Sequence, residues 1–272
     1  MKILLVSGSG FLGSHLARHF GASCVPTSRI TFDLSRPVEG ALRELLRGGF
    51  THAILCAAQA DVEACFRDPA GSRRVNVEAV REMLPIFAEH GVRVAFFSSD
   101  MVFDCFRDFR TEEEAVSPTT EYGRQKAEAE SLVCGLIFRT SKMMSMDLHP
   151  RSILSPLVAA AREGRAYRAF RDQFITPVFA EDVCRAVESA FRTGAEGTFH
   201  LAGKERFSRA ELAREVCARI GSNAAAVTET SVREAPLSEP RGPFHTLSAA
   251  KAAREFGFKP TALSEGLKIL LP

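Results

Sequence analysis

Apolar runs alternate with amphipathic stretches through the first half of the chain. The runs KILLVS (2–7), ASCVP (22–26), HAILCAA (52–58), VRVAFFSS (92–99) and GLIFRT (135–140) read as strands. Helical spacing lies between them. Leu12, Leu16 and Phe20 recur at i, i+4, i+8 within 11–20, and Val38, Leu42, Leu45 and Leu46 share 38–47. Val75, Ala79, Met83 and Phe87 line one side of a longer helix over 72–90, with a kink expected at Pro85. Continuous apolar strands separated by such helices predict an α/β chain whose parallel sheet is covered on both faces. After residue 140 the pattern loosens. It predicts helices at 152–163, 180–192, 208–220 and 261–270, and a short strand at 197–203. The Ser-, Pro- and Ala-rich stretch 222–247 reads as irregular structure outside the main sheet.

Composition narrows the classes. The chain has 272 residues, 46% hydrophobic and 25% charged, with a net charge of +2 and no basic run. Nucleic-acid and membrane-surface roles therefore have no electrostatic support. Seven cysteines with no CxxC pair argue against a disulfide framework and a structural zinc site, and point to a reduced compartment. KILLV is too short for a signal segment, and no run approaches the roughly 20 apolar residues of a membrane span. The cytoplasm is the expected location. A homodimer is compatible with the sequence.

The first strand runs into SGSGFLGSHLARHF, in which Gly8, Gly10 and Gly13 form G-x-G-x-x-G ahead of a helix. A tight turn and close approach of a pyrophosphate exclude side chains there. The helix start then offers backbone N–H groups and a positive dipole end, with Phe11 and Leu12 in its first turn. An acidic residue about 20 positions on usually grips the ribose in NAD enzymes. Here that region reads PTSRIT, and Ser28 with Arg29 suits a 2′-phosphate, so NADP(H) is favoured over NAD(H). Asp33 contacts the adenine or caps the following helix, and the sequence leaves both open.

Of the two tyrosines, Tyr122 lies four residues before Lys126, so the pair shares a helix face. An ammonium nearby is expected to acidify the phenol, which is then suited to proton transfer at a carbonyl oxygen. Gly123 is expected to leave room for a ligand. The strand ending in FFSSD brings Ser98, Ser99 and Asp100 to a carboxyl end, where open α/β sheets bind ligands. Asn76 lies inside the preceding long helix. The acidic run 111–115 reads as a solvated loop, with Thr111 and Glu114 capping a turn. His15 and His19 read as packing or helix-surface residues, and no metal site is expected.

The glycine turn, ILCAAQADVE (54–63), VNVEAV (75–80), FFSSDMVFD (96–104), PTTEYGRQKAEAE (118–130) and IFRTS (137–141) together resemble the extended short-chain dehydrogenase/reductases. RDQFITPVFAEDVCRAVESAF (171–191) and GTFHLAGKERFSRAELA (197–213) are similar to the dTDP-4-dehydrorhamnose reductase branch. That branch also includes the regulatory β subunit of methionine adenosyltransferase. The resemblance covers nearly the whole chain. It implies a Rossmann-type doubly wound sheet from 1–140, completed by about 172–203. A smaller substrate-binding lobe would come from 141–171 and 204–272.

By position, the resemblance implies Ser99, Tyr122 and Lys126 as the catalytic set. Ala57, Ala58 and Ser98 would line the cofactor, and Asn76 would support a water-linked proton path to Lys126. Asp172, Gln173 and Pro177 would border the substrate lobe. Asp100, Met101, Gln173 and Arg241 would face a keto sugar or nucleotide sugar. The chain departs from the pattern at Ser7, where the family's first glycine stands, and at Met101, Cys105, Lys142 and Glu239. These changes lie mostly on the substrate side. The implied activity is NADPH-dependent reduction of a keto sugar, with a non-catalytic NADP(H)-binding regulatory subunit as the rival. An epimerase or dehydratase is less well matched, because Asp100 has no carboxylate partner beside the serine.

Overall fold

The computed structural model describes residues 1–272. Six strands form the central sheet: β1 (Ile3–Val6), β2 (Cys24–Pro26), β3 (His52–Leu55), β4 (Arg93–Ser99), β5 (Leu136–Thr140) and β6 (Gly197–Leu201). All pair in parallel in the order β6-β5-β4-β3-β1-β2. The chain leaves β1 toward one edge and later returns to build the other, so the strand order reverses beside β1. Ligands bind at such switch points.

Alternation along β1 shows why both faces need cover. Ile3 and Leu5 enter one core with Leu12, Leu16 and Phe20 of α1 (Phe11–Phe20). Leu4 and Val6 enter the other, with Leu42 of α2 (Glu39–Leu46) and Met83 and Phe87 of α3 (Ala79–Glu89). Each such side chain contributes about 1.5–3 kcal/mol by leaving water. Hence a strand of this kind carries no polar position. Of the catalytic candidates, Ser99 ends β4, and Tyr122 and Lys126 ride on α4 (Glu121–Leu132), which packs on the second core through Ala129.

A third apolar cluster lies apart from these two. It gathers Leu154 and Val158 of α5 (Leu154–Arg162), Phe179 ahead of α6 (Ala180–Thr193), Leu212 and Val216 of α7 (Arg209–Ile220), and Leu263 and Leu267 of a helix near the C-terminus. Ser208 and Glu211 close a reciprocal capping box at the start of α7. No helix is long and apolar enough to cross a membrane.

The structure differs from the sequence pattern in three places. The stretch 222–247 is not simply irregular: Val227–Thr230 pairs with Tyr167–Phe170, and Phe244–His245 pairs with Phe174–Ile175. Short strands whose partners lie 60 and 70 residues away leave no periodic trace. Helical geometry between 69 and 89 is interrupted at Arg74–Glu78, a π turn holding Asn76, while Pro85 stays inside α3. Helical turns at Val62–Arg67 and Ala250–Phe256 were not anticipated.

Candidate active site

The glycine loop is shaped by contact. A Cβ on Gly8 would overlap Pro26 of β2, and one on Gly13 would overlap the Ser7 carbonyl oxygen. A Cβ on Gly10 would meet nothing closer than Ser7 Oγ at 3.5 Å. The first and third glycines thus let strand, loop and helix close on each other, while a Cβ on the second would make only ordinary contacts with Ser7. Ser7 takes φ = 77°, the left-handed region that glycine enters without strain. The α1 start has no side-chain cap and no acid in its first turn, so its N–H groups stay available to an anion. Leu12 turns into the core. Phe11 instead packs edge-on against His149, with centroids 5.0 Å apart.

Next to the loop lies a cavity of about 520 Å³ lined by Ser7, Ser28, Arg29, Asp33, Ala57 and Ala58, among others. It brings together five of the cofactor residues expected from sequence, Ser28, Arg29, Asp33, Ala57 and Ala58, while the three glycines, Asn76, Ser98, Tyr122 and Lys126 do not line it. Arg29 is mostly exposed and only 3.9 Å from Asp33. Asp33 does not cap α2. Its Oδ1 accepts the Ser35 N–H at 3.0 Å and the Ser35 hydroxyl at 2.8 Å, which hold the carboxyl below its usual range. Arg151 was missed by sequence reasoning, yet its Nη1 donates to the Ser9 carbonyl on the glycine loop at 3.3 Å.

At the carboxyl end of β4, Ser99, Asp100 and Tyr122 come together. Ser99 Oγ donates to Asp100 Oδ1 at 2.7 Å and accepts the Met101 N–H at 3.2 Å. Ser98 Oγ is buried without a partner, an orphaned hydroxyl beside the same strand end. The glycine at 123 serves a different purpose from the one expected. A Cβ there would overlap the Met101 carbonyl oxygen, so it lets α4 approach the 100–102 turn and makes no ligand space. Thr120 caps α4, accepting the Gly123 N–H at 3.1 Å. The buried Glu239 accepts the Glu121 N–H at 2.8 Å and ties Arg124 at 2.9 Å. An acid at a helix start is favourable, which accounts for the departure at that position.

Two electrostatic expectations are corrected. Tyr122 is not acidified: burial, then the Asp100 carboxylate, push its phenol above the usual range, opposed by the neighbouring Ser99 hydroxyl. Lys126 does not act on it. Its Nζ donates to the Phe97 carbonyl at 2.5 Å and lies 4.0 Å from the Phe96 ring centre, and burial pulls the ammonium down to about 8. Asn76 accepts the Gln59 N–H at 2.8 Å and donates to Gln125 Oε1 at 2.8 Å, which pins the 57–59 loop to α4.

On the substrate side, Arg241 is ion-paired to Glu63 at 2.5 Å. Gln173 accepts the Arg209 N–H through its carbonyl, and Asp172 accepts from the Ser231 hydroxyl and the Val232 N–H. Lys142 is accessible yet walled in by protein. Burial lowers its ammonium, as do the charges of Arg209 and Arg241, while Asp100 opposes them. Arg209 lines a second cavity, about 350 Å³, with Leu157, Tyr167, Ala169, Phe170 and Ser231. Of the two helix histidines, His19 is on the surface against Glu188 at 2.8 Å. His15 is buried, its Nδ1 donating to the Phe11 carbonyl and its Nε2 3.7 Å from both Asp147 and Glu181.

Comparison with known proteins agrees with this architecture. The chain is 29% identical over 233 residues to the probable low-salt glycan biosynthesis reductase Agl14 of Haloferax volcanii, covering 80% of this chain and 75% of the relative. It is 25% identical over 281 residues to the dTDP-4-keto-6-deoxy-D-glucose reductase of Streptomyces niveus, covering 98% and 96%. Among solved structures it superposes on the dTDP-4-dehydrorhamnose reductase of Bacillus anthracis str. Ames in complex with NADP. That match has a TM-score of 0.88 at 19% identity and covers 98% of both chains. The model of the RmlD substrate binding domain matches residues 1–272, and the chain belongs to that family.

Proposed function

We propose that the chain is an NADPH-dependent reductase that converts the keto group of a nucleotide-activated 4-keto-deoxysugar to an alcohol. The observation that carries this reading is the convergence of Ser99 and Tyr122 at the end of β4, in a family whose named relatives reduce such sugars. The uncapped α1 start and the orphaned Ser98 hydroxyl fit a dinucleotide. Gly8, Gly10, Gly13 and Arg151 would hold its pyrophosphate. Ser28 and Arg29 would hold its adenosine end, and Ala57 and Ala58 its flank.

When bound, the reduced nicotinamide supplies the hydride that the carbonyl carbon gains. Tyr122 gives its proton to the carbonyl oxygen. A phenol held above its usual range is fully protonated at neutral pH, so it acts as the acid from its resting state. Ser99 positions the tyrosine, and the Lys126 ammonium, buried against Phe97 O, supplies positive charge behind the site. Lys142 and Arg209 have no carboxylate partner within ion-pair distance, which favours an anionic substrate such as a sugar diphosphate.

A thermal-shift comparison of NADPH and NADH, followed by NADPH oxidation with 4-keto-6-deoxy sugar nucleotides, tests the reading. Larger stabilisation by NADPH and turnover of at least one such sugar are expected. Binding without oxidation of NADPH by any of them would reject the reductase in favour of a regulatory role.

A further inference from the structure

Asp100 is held from two sides. Its Oδ1 accepts the Ser99 hydroxyl at 2.7 Å, and its Oδ2 lies 3.1 Å from His245 Nδ1. Serine and histidine come from different parts of the chain, His245 being 145 residues beyond Asp100. His245 is only 7% exposed. A carboxylate oxygen can only accept, so the proton in that contact is on Nδ1.

The histidine is carried by Phe244–His245, a strand stitched to the catalytic turn. Phe244 N–H donates to the Cys105 carbonyl at 2.8 Å, and Ser141 Oγ donates to the His245 carbonyl at 2.8 Å. The same strand pairs with Phe174–Ile175, next to Gln173, where α7 is anchored. The Ser99 hydroxyl in turn stands beside the buried Tyr122 phenol, where α4 packs on the 100–102 turn. A hydrogen-bonded series, His245–Asp100–Ser99, therefore links the later segments to the turn beside the proposed proton donor.

We infer that His245 is a positioning residue for the reductase reaction: it holds Asp100, which orients the Ser99 hydroxyl and thereby the Tyr122 phenol. The inference rests on the reductase reading above. With its proton committed to Asp100, Ser99 has a lone pair for the Tyr122 O–H, which fixes where that group points before it meets a ketone. Removing the Nδ1–H leaves Asp100 held from one side only, free to turn and take Ser99 with it. Hydrogen bonds to charged groups are the ones whose loss is felt most.

The test compares H245L, H245N and the wild-type chain, with NADPH and a 4-keto-6-deoxy sugar nucleotide. Asparagine keeps a donor near the place of Nδ1, and leucine does not. H245L is expected to lose about 10- to 100-fold in kcat, with KM for the sugar changed less than about 3-fold and NADPH affinity unchanged. H245N is expected to stay within about 3-fold of wild type. A low-field imidazole N–H proton resonance is expected in the wild type and lost in both H245L and D100N. If H245L does not fold, H245Q, whose amide falls near Nε2 instead, should show the same kcat loss. Wild-type kcat in H245L, an H245N as slow as H245L, or a resonance that survives in H245L would each overturn the inference alone. Absence of turnover in the wild type would reject the reductase reading, and the inference with it.

Discussion

The glycine loop and the end of β4 lie at the same carboxyl edge of the parallel sheet, yet they are built in opposite ways. The loop is local: three glycines, one helix start and a neighbouring strand, all within residues 3–26. The end of β4 is assembled from afar, with Asp100 held by His245 and the start of α4 held by Glu239, 118 residues from Glu121. A local site depends on backbone shape, so substitutions there act through overlap. A composite site depends on docking, so substitutions act through lost polar contacts. The two should fail differently.

Gly13→Val tests the local site most severely. A side chain there overlaps the Ser7 carbonyl oxygen, which cannot move without pulling β1. We expect a loss of about 3 kcal/mol or more in chemical denaturation, together with loss of NADPH binding. Gly123→Ala sits in the composite site and overlaps the Met101 carbonyl. It should cost about 1–3 kcal/mol and most of the turnover, while NADPH still stabilises the protein in a thermal shift. Equal loss of cofactor binding in both variants would erase the distinction.

Lys126→Met separates charge from packing. The buried ammonium is pulled down to about 8 from the ordinary 10.5, so above pH 8 the unfolded chain holds more protons than the folded one. Wild-type stability should therefore gain a rising component from pH 8 to 10.5, when the folded protein no longer carries the buried charge. The variant should lack that component. Denaturant midpoints of both proteins across that range measure the difference, and parallel curves would reject the assignment. Ser7→Gly is the mildest change. It relieves a left-handed serine at φ = 77°, offset by the freer unfolded chain, and a gain of up to about 1 kcal/mol is expected. A loss on calorimetry would show that Ser7 contributes something its backbone strain conceals.

How much could be read in advance follows the same division. The parallel sheet, α1, α6, α7 and the glycine loop were legible because apolar period and glycine spacing are local signals. The cavity residues Ser28 and Arg29 followed from the distance to the glycine loop, and Ala57 and Ala58 from the family resemblance. His245, Glu239 and Arg151 were not legible, since a lone histidine, acid or arginine in an irregular stretch has no period to betray its partner. The strands at 227–230 and 244–245 were lost for the same reason. Spacing also misled. Tyr122 and Lys126 are four apart, but a free carbonyl on Phe97 captures the ammonium, and burial then raises the phenol. Gly123 was assigned to a ligand when it belongs to a backbone contact.

The most direct measurement is single-turnover transfer of deuterium from 4-deuterated NADPH to a 4-keto-6-deoxy sugar nucleotide, in the wild type and in Tyr122→Phe. The account predicts label on the product carbon in the wild type. It predicts equal NADPH affinity in the variant, with transfer slower by about 10²–10⁴-fold. Transfer at the wild-type rate without the phenol would contradict it.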